Sequence, residues 1–333
     1  MNYKVNFISF KMKHHSNHSG YDRLVHFISG NGSGSIKSNV PWALSRLVPS
    51  RVKEAIKAAS GVSWYSRHHL INELKAGLKL FSFKNEVFHF LYGEDSYCYL
   101  GFLPRRKNKK IVCTYHQPPD YFETVIRKKN HLRKLDAIIA LSKAQYDYFK
   151  SLIGRDKVFL LPHGVDTDFF VPSQNTGQNG ALRCLFVGQW LRDFMTLKRV
   201  IQTLNFTDKD VRFDIVTTQE YKTYFNALGN VSVYSGITDK ELLGLYQKAT
   251  VLVMPLLDCT ANNSILEALA CGLPVVATDV GGVRQYLDET CGILVSKKDP
   301  KAMADEVIEL FENKPLRKAM SEKAREKALS FSW

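Results

Sequence analysis

The chain has 333 residues, 45% hydrophobic and 23% charged, which is enough apolar material for two packed domains and too much for wholesale disorder. No run of 18 apolar residues occurs, and the six cysteines are scattered without a Cys-x-x-Cys pair, so a membrane-spanning helix, a disulfide scaffold and a zinc site are not expected, and reduced thiols in a cytoplasmic protein are. The net charge of +14 is uneven: residues 1–170 hold 27 Lys and Arg against 13 Asp and Glu, while residues 171–333 hold 19 against 19.

The N-terminal stretch MNYKVNFISFKMKHH breaks its apolar run with Lys11 and Lys13 and has no small-residue cleavage site, so no signal peptide is expected. Residues 4–9 read as a strand. The loop HHSNHSGYDRL (14–24) follows, in which Gly20 either lets the backbone approach a phosphate or simply makes a turn. Two amphipathic helices come next. Val52, Ala55, Ile56 and Ala59 form a stripe beside Arg51, Lys53 and Lys57. Leu70, Ile71, Leu74, Leu78 and Phe81 form another beside Lys75 and Lys79, with Trp64, Tyr65 and Arg67 upstream. Apolar stripe, lysines and aromatics are the ingredients of an interfacial helix, although both stripes would also suit packing on a sheet. Residues 87–91, 111–114, 137–141 and 158–161 read as further strands. His116 ends the second of these ahead of Pro118 and Pro119, placed to touch a substrate or to be a hydrogen-bonded loop histidine. Basic clusters lie at 105–110 and 127–134. The segment PHGVDTDFF (162–170) is expected to shape an interdomain wall. The polar, Pro- and Gly-bearing stretch 171–181 reads as a linker between a domain at 1–170 and another at 182–333.

The second half alternates strands (182–187, 211–217, 231–234, 251–254, 274–277, 292–295) with helical patterns. One helix, at 241–249, is opened by a capping-box pair of Thr238 and Glu241. Such alternation predicts α/β folding with parallel sheets covered on both faces. The expected architecture is two doubly wound, Rossmann-like domains facing one another across a cleft. Ligands then bind beyond the carboxyl ends of the strands. Several unusual residues fall there. Gly188 ends the first strand of this half, and Arg192 and Lys198 follow, cations suited to a leaving diphosphate or to a solvated helix face. After the 251–254 strand come Asp258, then Thr260, Asn262, Asn263 and Ser264, all N-cap residue types, opening a helix whose N–H groups suit a phosphate. Glu267 lies one turn in, on an otherwise apolar helix, where a carboxylate can accept hydrogen bonds from a ribose diol.

The run Glu267-Ala268-Leu269-Ala270-Cys271-Gly272-Leu273-Pro274-Val275-Val276-Ala277-Thr278 with Gly281-Gly282 resembles the signature of the GT-B-fold retaining glycosyltransferases of family 4. Supporting matches are Ser19-Gly20, His116, Ser142, Pro162-His163-Gly164-Val165-Asp166, Phe170, Pro172 and Gly188, so the resemblance extends over nearly the whole chain. It implies that Glu267 binds the ribose of a nucleotide-sugar donor and that the helix N-terminus before it holds the diphosphate. It further implies that His116 lies near the transferred sugar, and that a basic pair replaces any metal, so no cofactor is expected. This sequence departs from the pattern twice. Cys259, beside Asp258, occupies the place of a second Glu that normally contacts the sugar, leaving Asp258, Thr260 or Asn262 to recognise it. Gln189 stands where an Arg is usual, and by spacing Arg192 takes the place of the family's Lys. Family members usually continue past the position of Trp333 with a helix that crosses back onto the first domain.

The reading expected from all this is a retaining transferase. It moves a sugar from a nucleotide-sugar, with UDP the commonest base, to an acceptor hydroxyl on a glycan, polysaccharide or lipid-linked acceptor. His116 and Arg192 carry the chemistry. Gly20, Gly188, Lys198, Asp258, Thr260, Asn262, Asn263, Ser264 and Glu267 hold the donor. The basic first half predicts peripheral attachment to an anionic membrane surface on its cytoplasmic face, and no nucleic acid is expected. Two rivals stand beside it: a GT-B nucleotide-sugar epimerase, and a catalytically weakened protein that binds sugar nucleotides or nucleic acid.

Overall fold

The computed structural model describes residues 3–9, 17–28, 33–36, 50–173, 181–225 and 228–333. Two compact units form. One contains the first strand and Tyr21–Pro162; the other contains residues 17–20 and His163–Trp333. The division falls at Pro162, earlier than the expected residue 170. Val165 pairs with Ser332, and both Val165 and Phe170 pack into the second unit's core. Of the expected linker 171–181, residues 174–180 lie outside the described residues, as do residues 14–16 of the loop that carries Gly20.

The first unit is built on strands β1 (Lys4–Ile8), β2 (Gly34–Ile36), β3 (Glu86–Phe90), β4 (Lys109–Tyr115), β5 (Ala137–Ala140) and β6 (Val158–Leu160). They are parallel, in the order β2-β1-β3-β4-β5-β6. Five match expected strands. The sixth, β2, was not expected: three residues, Gly-Ser-Ile, are too short and too polar to give a period. Buried Ile8, Phe88, Phe90, Ile111, Cys113 and Ile138 form the centre of the core, as apolar strands covered on both faces must. Both expected helices are present, at Ser50–Ser60 and Arg67–Lys79.

The second unit has β7 (Leu182–Val187), β8 (Val211–Val216), β9 (Val231–Tyr234), β10 (Val251–Met254), β11 (Val275–Thr278) and β12 (Gly292–Val295), again all parallel. Their order is β12-β11-β10-β7-β8-β9. The uncharged runs Val-Leu-Val-Met and Val-Val-Ala-Thr are buried at every position, which explains their lack of alternation. The chain winds outward from β7 to one side and from β10 to the other. The carboxyl ends of β7 and β10 therefore flank a topological switch point, where a doubly wound sheet opens a crevice for a ligand. The terminal helix Lys314–Leu329 packs in this unit, and Arg325 donates to the carbonyls of Ala270 (2.7 Å) and Phe170 (2.9 Å). A cation thus covers the C-terminal end of the helix Asn263–Ala270 and complements its dipole. All six cysteines are free and buried.

Candidate active site

Two loops meet at the switch point of the second unit. After β7, Gly188 has φ of +103°, and a Cβ there would lie 2.7 Å from the Arg192 guanidinium. Only glycine lets the arginine fold back over the strand end. Arg192 precedes the helix Phe194–Asn205, whose N-cap is Asp193, so it is a loop residue aimed across the crevice. Leu191 beside it has φ of +54°, an unfavourable conformation for a branched side chain. Its carbonyl accepts from Leu257 N–H (2.9 Å), and Asp193 N–H donates to Pro255 (3.0 Å), which tie the strained loop to the segment after β10. The guanidinium donates to the carbonyls of Val187 (3.1 Å) and Trp190 (3.0 Å) and to Asn262 Oδ1 and Ser264 Oγ (3.3 Å each). Burial lowers its pKa to about 10, so it stays charged at neutral pH. Lys198, also expected here, lies half-buried on the helix and joins none of these bonds.

On the other side, Asn262 is the N-cap of the helix Asn263–Ala270, its Oδ1 accepting from Ile265 N–H (3.3 Å). Asn263 and Ser264 are the first helical residues, and Ser264 Oγ donates to the Val187 carbonyl (3.2 Å). The run of cap-type residues thus divides its work: one caps, the others line the first turn, whose early N–H groups suit an anion. Among the described residues, three buried polar atoms here have no hydrogen-bond partner: Thr260 Oγ1, Asn262 Nδ2 and Gln189 Oε1. Buried polar atoms are nearly always paired, so these three need an explanation. Cys259 is buried, and burial holds its thiol up at about 12, so it is no substitute for a carboxylate. Asp258 Oδ1 accepts from Cys259 N–H (2.7 Å) and so is turned back on its own loop. Gly281 has φ of +50°; a Cβ on it would lie 2.0 Å from the Cys259 carbonyl and 2.4 Å from Asp258 Oδ1. Gly281 therefore makes room for the 258–260 loop.

Glu267 answers why an apolar helix carries a carboxylate. It is 3% exposed, and its two oxygens accept from Ser19 Oγ and from Tyr246 OH (2.9 Å). Burial raises its pKa to about 7; the bonds from Ser19 and Tyr246 and the Arg192 charge pull the other way. A carboxylate offers about four lone-pair sites, so two remain beyond those two donors. Ser19 reaches Glu267 because residues 17–20 lie in this unit. There His18 stacks on Phe169 at 3.7 Å and bonds Asp166 (2.9 Å), and Asn17 N–H donates to Asp239 (3.0 Å). Gly20 closes this bend with φ of +97°. Neither Ser19 nor Tyr246 was expected as a partner of Glu267. For Tyr246 the hint was a phenol on an otherwise aliphatic helix stripe; for Ser19, none existed beyond its neighbour Gly20. The segment 162–170, expected to form a wall, instead provides Asp166 and Phe169 as the seat of His18.

In the first unit, His116 stands at the carboxyl end of β4. Its ring packs against Tyr21 (5.0 Å) and Tyr92 (4.6 Å), and Nε2 is 2.7 Å from the Leu91 carbonyl. A carbonyl only accepts, so Nε2 carries the proton. Its loop is held by Glu94, which accepts from the N–H groups of His116 and Gln117 (2.7 Å to Gln117). Burial raises Glu94 to about 7. Glu94 was not expected as a loop anchor; the acidic pair Glu94-Asp95 within an apolar stretch was the available signal. Among the described residues, no group of three His, Cys, Asp or Glu side chains comes together to hold a metal.

Fold and site together define a class: two parallel α/β units of the GT-B type, one presenting a capped helix start, an arginine and a buried carboxylate at its switch point. Two family models match side by side, Glycosyltransferase Family 4 over residues 25–169 and Glycosyl transferases group 1 over residues 181–313. The chain belongs to this glycosyltransferase family. A D-inositol 3-phosphate glycosyltransferase from Xylanimonas cellulosilytica is 29% identical over 239 residues, 63% of this chain and 56% of the relative, so the alignment spans little more than half of that protein. The fold matches sucrose-phosphate synthase from Thermosynechococcus elongatus with a TM-score of 0.71 at 17% identity, covering 100% of this chain and 96% of the other. It also matches an Anabaena protein solved with UDP and glucose, with a TM-score of 0.65 at 13% identity, covering 99% and 96%.

Proposed function

We propose that the chain transfers a sugar from a nucleoside diphosphate sugar, with UDP as the nucleoside diphosphate, to an acceptor hydroxyl with retention of anomeric configuration. One observation carries the reading: three unpartnered buried polar atoms, Thr260 Oγ1, Asn262 Nδ2 and Gln189 Oε1, gathered with Arg192 at the start of the helix that holds Glu267. In this reading the ribose hydroxyls use the spare lone pairs of Glu267. The diphosphate takes the helix N-terminus, Asn262 Nδ2 and the Arg192 charge, and Thr260 and Asn262 reach toward the sugar in place of the absent Glu. Arg192 stabilises the charge that grows on the departing diphosphate, the step where fixed cations gain most. Gly188 makes room for it, and Lys198 adds long-range positive charge. His116, with a proton on Nε2, serves the transferred sugar. No side chain of the site stands as an obvious covalent nucleophile, which favours attack by the acceptor on the face the diphosphate leaves. The cations and helix dipole take the role of a metal, so no metal or other cofactor is required.

The acceptor is a glycan or a lipid-linked sugar, and the basic first half supports work at an anionic membrane surface on the cytoplasmic side. Among the described residues no helix is long and apolar enough to cross a membrane. The rival readings, epimerase or weakened binding protein, gain nothing from the family match. The test is thermal unfolding of the full chain across UDP-, GDP- and ADP-sugars. The UDP-sugars stabilise by about 2.7 kcal/mol at a hundredfold excess over Kd, and turnover of that donor follows; stabilisation by GDP- or ADP-sugars alone would overturn the choice of UDP. Equal indifference to all three would remove the reading.

A further inference from the structure

Six large apolar side chains stand exposed at one end of the first unit: Leu74 (58%), Leu78 (80%), Phe81 (63%), Phe83 (81%), Phe102 (52%) and Leu103 (40%). They adjoin one another. Leu74 and Leu78 are one helical turn apart on Arg67–Lys79. Between them lies Gly77, where a Cβ would sit 3.1 Å from Leu103. Phe81 and Phe83 occupy the turn that follows. That turn is rigid. Lys109, whose side chain is fully buried, donates to Ser82 Oγ (2.6 Å), the Lys84 carbonyl (2.8 Å) and Glu86, and Asn108 Nδ2 donates to the Phe83 carbonyl (2.8 Å).

Around this ridge the charge has one sign. Arg106 stacks 3.9 Å over Phe83, Lys134 lies 5.6 Å from the Phe102 ring, and Lys75, Lys84 and Lys107 are exposed beside them. The carboxylates between residues 74 and 110 are Glu86 and Glu94, both buried, and Asp95, whose side chain is 13% exposed. Asp136 nearby is paired with Arg105 (3.0 Å) and Lys110 (3.4 Å).

We infer that this ridge docks the protein on an anionic phospholipid bilayer, with Leu78, Phe81 and Phe83 entering the interface and Lys75, Lys84, Arg106 and Lys107 meeting the headgroups. Charge complementarity selects this occupant. A second copy would set the same cations against one another in a two-fold contact. A protein groove is not needed to receive side chains that protrude this far, whereas a fluid interface takes them without one. The surface differs from that expected of the two helices. Val52, Ala55 and Ala59 are exposed and Ile56 partly buried, and with Leu70 and Tyr99 they line an open groove of about 540 Å³ apart from the ridge, while Lys79 donates to Asn6 (3.1 Å). Its place in the unit is equally specific. Phe83 and Arg106 precede the first residues of β3 and β4, whereas Glu94 and His116 follow the last, so the ridge lies at the opposite edge of the sheet from the histidine. It therefore anchors the enzyme without occupying that edge.

The inference rests on the membrane part of the proposed function and is independent of sugar transfer. It is tested by flotation of the full chain with phosphatidylcholine vesicles, with and without phosphatidylglycerol. The wild type is compared with L78S/F81S/F83S and with K84E/R106E/K107E, and folding is checked by thermal melting. Binding requires phosphatidylglycerol and fades with salt. Each lost apolar side chain reduces partition by about tenfold; each cation removed reduces it by about fivefold, and each reversal by more. Wild-type binding that both variants retain would overturn the ridge while leaving membrane attachment standing. Absence of binding by the wild type, or equal binding to neutral vesicles, would overturn both. A concentration-dependent dimer in sedimentation, abolished by L78S/F81S/F83S without any vesicle effect, would give the ridge to a second copy instead.

Discussion

Replacing Glu267 with Gln keeps the shape of a side chain that is 3% exposed but removes its charge and half of its acceptor capacity. Ser19 and Tyr246 meet different oxygens, so one still donates to the amide oxygen while the other hydroxyl turns to accept from the new NH2, and the helix stays packed. A hydrogen bond to a charged group contributes about 1.5–3 kcal/mol, so the variant should bind UDP roughly ten- to a hundredfold more weakly. The same residue sets a pH dependence. Its carboxyl is raised from the usual 4.5 to about 7 in the free protein, and donor hydroxyls favour the charged form. Affinity should therefore fall as pH drops below about 7, and the Gln variant should lack that slope. Stability runs the other way. The native state binds the proton more tightly than the unfolded chain, so this group stabilises the fold fully below pH 4.5, and the contribution is lost as pH rises through 7. Wild type should gain melting temperature over Glu267→Gln between pH 8 and 5. Calorimetric titration with UDP, paired with melting curves, reads both effects. A folded Gln variant with unchanged UDP affinity would refute the ribose assignment.

Arg192→Ala should lower kcat far more than it raises KM, by a hundredfold or more, because the charge it meets develops in the transition state; steady-state kinetics that show only a KM change would move the role to Lys198. Gly281→Ala should cost at least about 2 kcal/mol in thermal unfolding, since its Cβ would lie 2.0 Å from the Cys259 carbonyl and φ is positive. Donor turnover should persist in excess EDTA, and restoration by added magnesium after dialysis would contradict the metal-free account. Glu94→Gln should leave UDP affinity unchanged while lowering kcat, because Glu94 fixes the loop of His116 in the other unit; a parallel loss of UDP affinity would be inconsistent with that role.

Much of this was legible in the sequence where local physics is strong. The buried runs of β10 and β11 could only be covered strands, and Thr238 with Glu241 does form both arms of a capping box. Asn262 caps the helix of Glu267, as its residue type implies. What escaped depends on contacts far apart in the chain. Ser19 and Glu267 are 248 residues apart, and no period or spacing joins them. The positive φ of Leu191, which helps aim Arg192, runs against that residue's own preference and so cannot be read from it. Gly-Ser-Ile becomes β2 only because β1 offers it an edge to pair with. The two amphipathic helices look alike in sequence, yet one lays its stripe along an open groove with Leu70 and Tyr99 and the other carries Leu74 and Leu78 onto the ridge; composition does not separate them.

The most direct measurement is a crystal structure of the full chain with UDP bound. The account predicts ribose hydroxyls within hydrogen-bond distance of Glu267, about 2.7 Å. It also predicts diphosphate oxygens on the first turn of the helix Asn263–Ala270, with Arg192 and Asn262 Nδ2 as partners. A nucleotide seated elsewhere, with Thr260 Oγ1 and Asn262 Nδ2 still unpartnered, would contradict it.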